Sequence, residues 1–150
     1  MLRRRPMTGA IALLVVTLAM TLLTGPAQAA RRDPDGRYKG SLSYPLAVDS
    51  GPVTFRIARD GKRLTKWRAT FTAVCNYDPY VALTTVTLPT TKIRRDGTFR
   101  GVVRTTHNGK VLKLTVTGQL RGKRVTKGRI NYDIGSCSRK ANWTARRVGA

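Results

Sequence analysis

Lys66-Trp67-Arg68-Ala69-Thr70-Phe71-Thr72-Ala73-Val74-Cys75 decides the fold class, because Trp67, Ala69, Phe71, Ala73 and Cys75 fall on one side of an extended chain. Lys66, Arg68, Thr70 and Thr72 fall on the other. A period of two predicts a strand with one buried face and one wet, basic face. The same pattern returns where Leu112, Leu114, Val116 and Leu120 oppose Val111, Lys113, Thr115, Thr117 and Arg121. No stretch of the chain after residue 30 keeps a sustained apolar spacing of three and four, so no amphipathic helix is expected.

Turn signals divide the alternating runs. Asp60-Gly61 separates Val53 to Arg59 from Leu64 to Cys75, and Asn108-Gly109 separates Phe99 to Thr106 from Val111 to Leu120. Both dipeptides accept the positive φ of tight hairpins. Asp96-Gly97 and Gly122-Lys123 mark further reversals. Val125 and Ile130 have opposite parity with Gly128 between them, which predicts a β-bulge returning Ile130, Tyr132 and Ile134 to the core. The expected fold is all-β: a single antiparallel β-sandwich or barrel of about eight strands, the last at Ala141 to Arg147, with one disulfide. Asn76 to Thr91 reads as the least regular part.

The first residues have a different character. Arg3, Arg4 and Arg5 precede the apolar run Ile11 to Leu23, and Gly25-Pro26 breaks it before Ala27-Gln28-Ala29. That order is a secretory signal peptide cleaved after Ala29. The run is shorter than the roughly 20 apolar residues a retained anchor needs. The expected organisation is a signal peptide (1–29), a short basic arm (30–35), an all-β domain (36–147) and a tail (148–150). The expected location is secreted, extracellular or associated with the cell wall.

Charge then narrows the function classes. The 150 residues hold 29 Lys and Arg against 7 acids, a formal +22, and every acid is Asp. With a single His, His107, and no Glu, neither a Glu–His pair nor a multi-histidine metal site can be built. Removing the three arginines of the leader leaves a formal charge of about +19 on the expected exported part. Cys75 and Cys137 are the only cysteines, and an exported chain with two predicts one disulfide. A metal site of Cys75, Cys137 and His107 would lack a fourth ligand, so neither metal nor cofactor is expected, and the chain reads as no enzyme.

A short pattern recurs at Gly36-Arg37-Tyr38-Lys39-Gly40, Gly97-Thr98-Phe99-Arg100-Gly101 and Gly118-Gln119-Leu120-Arg121-Gly122. Its structural reading is a turn, one large apolar side chain entering the core, and a glycine that permits close packing. The first two copies, the paired cysteines and the closing Trp143-Thr144-Ala145-Arg146 together resemble a group of small exported all-β proteins of actinobacteria. The resemblance spans about residues 36 to 147 and implies fold and export. It assigns no functional residue, and the strong basic excess departs from the acidic or neutral surfaces common in that group.

Two candidate sites follow. Arg56, Arg68, Arg100, Arg104, Lys113 and Arg121 occupy the expected outer faces of at least four strands and could meet phosphates or sulfates. The expected partner is an anionic polymer or membrane surface, with non-specific nucleic acid as a further partner and the oligomeric state open. The alternative is a structural envelope protein with no specific ligand, whose charge serves solubility. The second candidate is the loop after Cys75, where Tyr77 and Tyr80 flank Asp78-Pro79 and could make contacts in a hydrolase or inhibitor.

Overall fold

The structure is a computed structural model and describes residues 33–43, 51–76 and 81–150. The expected signal peptide (1–29) and the loop candidates Tyr77, Asp78 and Tyr80 lie outside the described residues.

Among the described residues nine strands form one antiparallel sheet: β1 (Gly36–Ser43), β2 (Pro52–Ala58), β3 (Arg63–Cys75), β4 (Val81–Leu88), β5 (Thr91–Lys92), β6 (Thr98–His107), β7 (Lys110–Arg121), β8 (Arg124–Ile134) and β9 (Cys137–Gly149). Their order is β4-β3-β2-β1-β9-β8-β7-β6, with β5 alongside β3. Apart from β5, strands that follow one another in sequence pair in space, and the first strand lies beside the last. The sheet rolls until its ends meet. Lys92 pairs with Arg63, Ile93 bridges to Phe99, and the Leu88 side chain occupies the space that a Cβ on Gly101 would need. Of the two expected architectures, the rolled single sheet forms, because pairing runs unbroken from β4 to β6 and the segment around β5 links β3 to β6.

The inner face is filled by aromatic rings. Trp67, Trp143, Tyr38 and Phe71 are among its largest fully buried side chains. Phe55 stacks on Tyr38 with ring centroids 5.0 Å apart and meets Trp143 edge-on at 5.7 Å. Trp67 meets Trp143 edge-on at 6.2 Å. The Nε1 groups of both tryptophans are buried and find no acceptor among the described residues, so the ring contacts must outweigh two desolvated donors. Tyr38 reaches the end of the core, where its hydroxyl donates to the Pro34 carbonyl at 2.6 Å. Burial is the main reason its phenol is pushed up to about 12.

The expected bulge is present. The β8–β9 register shifts between Val125 and Gly128, Lys127 takes φ 52°, and Val125 and Ile130 are both buried. A second bulge shifts β2 against β3 between Thr54 and Arg56, with Lys66 at φ 51°. The recurring pattern also resolves as structure, since Tyr38, Phe99 and Leu120 all enter the core.

Three features differ from the sequence reading. The irregular segment contains β4, paired with β3 from Val74–Val81 to Trp67–Leu88. Its period was masked because Leu83 points outward, 78 % exposed, while Thr84 takes a less exposed position beside it. Residues 148 and 149 belong to β9 and not to a tail, because Gly149 lies opposite Arg37. The strand count rises with the two-residue β5, too short to leave a period.

Cys75 and Cys137 form the expected disulfide. They are directly opposed where β3 and β9 pair with one another. The bond closes a separation of 62 residues, worth about 4 kcal/mol if it acts by restricting the unfolded chain. Replacing both cysteines by Ala should therefore lower urea-unfolding stability by about 4 kcal/mol. An unchanged unfolding midpoint would show that the core alone holds β3 against β9.

Candidate anion-binding surface

With the inner face occupied by rings, most basic side chains of the strands stand on the outer face, while Arg139 and Arg147 lie half-buried in phase with Trp143. Following the register around the sheet, Arg121 on β7 lies opposite Arg124 on β8. Arg124 lies opposite Arg146 on β9, and Arg146 opposite Lys39 on β1. All four are exposed. Lys39 faces Thr54, which faces Arg68 on β3, so the same row reaches a further cation. Like charges directly opposed across strands sit about 5 Å apart at Cβ and destabilise the pairing. Here that arrangement continues through four adjacent strands.

The six residues expected from the sequence are all exposed, but they do not form one stripe. Arg121 and Arg68 belong to the girdle just described, and Arg56 adjoins it opposite Arg37. Arg104 and Lys113 oppose one another near the far ends of β6 and β7, and there Lys113 also faces Asp133. Arg100 stands in a separate basin.

Arg124 could have been found from sequence, since Arg121-Gly122-Lys123-Arg124 is a two-residue hairpin that must set Arg121 and Arg124 opposite one another. Lys39 and Arg146 could not, because their meeting depends on the first strand pairing with the last.

The described acids do little to neutralise this surface. Asp35 accepts from the backbone N–H of Asp60 at 3.1 Å and of Gly61 at 2.8 Å, tying the segment before β1 to the β2–β3 turn. Asp96 accepts from the N–H and hydroxyl of Thr98 at 2.9 and 2.7 Å, and these bonds hold its carboxyl below the usual range. Among the described residues the one carboxylate within 4 Å of a cation is Asp60, 3.9 Å from Lys62. Both side chains are largely exposed, so the pair contributes little.

The basin around Arg100 has a volume of about 520 Å³ and is lined by Arg94, Asp96, Arg100, Thr117, Gln119 and Lys127, with Gly118 and Phe99 also contributing. Gly118 is required here, because a Cβ at this position would lie 2.6 Å from the Phe99 ring. Lys127 arrives by way of the β8 bulge in a left-handed conformation that costs a residue with a Cβ about 1–2 kcal/mol. The row Arg100–Thr117–Arg129–Asn142 runs from the basin to a second depression of about 290 Å³, lined by Arg129, Asn131, Lys140 and Asn142. Both depressions lie among outward-facing side chains. Among the described residues no group of three His, Cys or Asp side chains could hold a metal ion.

The chain matches no family model, no curated protein and no solved structure.

Lys127→Gly should relieve the left-handed conformation and raise unfolding stability by about 1 kcal/mol. A loss of stability on that change would mean that the Lys127 side chain contributes to the fold beyond its charge.

Proposed function

We infer that this chain is a secreted, non-catalytic module that holds an extended anionic polymer of the cell envelope against its outer face. The observation that carries this reading is the girdle of Lys39, Arg121, Arg124 and Arg146 on four adjacent strands. A sheet that needed only a wet face would mix charge signs, since opposite charges across strands stabilise pairing and like charges oppose it. A polyanion laid across the girdle turns that repulsion into attraction and gains further from the release of its condensed counterions.

The arrangement favours a polymer over a small ligand. The girdle cations project from a convex outer surface, and the inner face is taken up by Trp67, Trp143, Phe55 and their neighbours. The leader at residues 1–29 and the resemblance to exported actinobacterial proteins support the location. The scarcity of acid/base pairs in the composition supports a binding role over a catalytic one.

Binding to polyglycerol phosphate should weaken linearly on logarithmic axes as salt rises from roughly 50 to 200 mM. Changing Arg121, Arg124 and Arg146 together to Gln should flatten that slope by about 2 to 3. Retention that ignores salt would reject the reading, and retention unaltered by the triple change would reject the girdle as its seat.

A further inference from the structure

We propose that the basin bounded by Arg94, Arg100 and Lys127 is a phosphodiester subsite, which seats one phosphate of a polyol-phosphate polymer while the girdle supplies the non-specific attraction; this rests on the polyanion reading above. The three cations reach the basin from three elements: the turn before β6, β6 itself and the bulge of β8. Thr117 adds a hydroxyl and Gln119 an amide, whose Nε2 also donates to the Asp96 carbonyl at 3.3 Å. A planar carboxylate is satisfied by the fork of a single arginine. Donors converging from several sides suit a tetrahedral group whose oxygens point in several directions.

Lys127 strengthens the assignment. Glycine would adopt φ 52° without penalty, yet a lysine stands there, exposed, beside the basin. Lys66 takes the same conformation at the other bulge, so what assigns Lys127 is its place at the basin. Asp96 is the one carboxylate lining the basin, and its Oδ1 is engaged by Thr98. Three cations against one anion leave the basin positive.

The described aromatic residues favour a polyol phosphate over a single-stranded nucleic acid. Tyr38, Phe55, Trp67, Phe71, Phe99, Tyr132 and Trp143 are all buried, so no described ring offers a platform on which a base could stack. Single-stranded nucleic acid relies on such platforms for much of its affinity. A flexible, non-aromatic polyol phosphate does not need them. The row from Arg100 through Arg129 carries the polymer onward to the second depression, where Arg129 and Lys140 stand ready for a following phosphate.

The test compares binding of the folded chain to polyglycerol phosphate, polyglutamate and a single-stranded oligodeoxynucleotide, matched in charge count and measured over one shared salt series from roughly 50 to 200 mM. The wild type should bind polyglycerol phosphate about tenfold more tightly than polyglutamate, the scale of one extra charge-assisted contact. Arg94→Gln with Arg100→Gln and Lys127→Gly should erase that preference while leaving salt-dependent binding to both polymers. Changing Arg121, Arg124 and Arg146 to Gln should weaken both polymers alike and keep the preference. Asp96→Asn, which retains an acceptor for Thr98, should tighten polyglycerol phosphate.

A wild-type ratio near one, a preference that survives the basin variant, tighter binding of the oligodeoxynucleotide, or weaker binding by Asp96→Asn would each overturn the subsite and leave the girdle reading intact. Loss of salt-dependent binding to all three polymers would overturn both. The near-ultraviolet dichroism of the buried tryptophans shows whether each variant is folded.

Discussion

The structure depends on a single division of faces. One sheet rolled on itself has one inside, and in this chain the inside is filled by Trp67, Trp143, Tyr38, Phe55, Phe71, Phe99 and Tyr132 packed with smaller apolar residues. Strand alternation then sends most basic side chains of the strands outward, Arg139 and Arg147 being half-buried in phase with Trp143, and the described acids are largely occupied in turns. Cations consequently meet across strands with no counter-charge, as Arg121, Arg124, Arg146 and Lys39 do. The core and the Cys75–Cys137 bond must hold the fold together against that repulsion.

Much of this was legible from local pattern. Trp67 to Cys75 and Leu112 to Leu120 give their strands by alternation, and the parity change from Val125 to Ile130 gives the bulge. The Asn108-Gly109 turn also falls where its dipeptide puts it, with φ of 48° and 71°. β4 was harder to see, because an exposed Leu83 beside a less exposed Thr84 inverts the expected polarity. β5 is shorter than any period.

The site divides along the same line. That Arg56, Arg68, Arg100, Arg104, Lys113 and Arg121 face outward follows from parity. Which of them stand together depends on how the sheet rolls. The girdle needs β1 beside β9, and the Arg100 basin needs Arg94 brought to β6 through the Ile93–Phe99 bridge. The first pairing joins the two ends of the chain and the second spans the Asp96-Gly97 turn, so alternation within one strand reveals neither. Lys127 is intermediate: its bulge was legible, but its place at the basin was not. Bulges re-aim side chains, and this one sets Lys127 and Arg129 on the outer face with Gly128 buried between them.

The central claim is that the outer face of the folded protein carries unpaired positive charge that a polyanion relieves. Urea unfolding tests it most directly, because urea adds no ions of its own. The midpoint should be lowest at low ionic strength and rise both with added salt and, at constant low salt, with polyglycerol phosphate. A midpoint that stays level or falls under both additions would contradict the account.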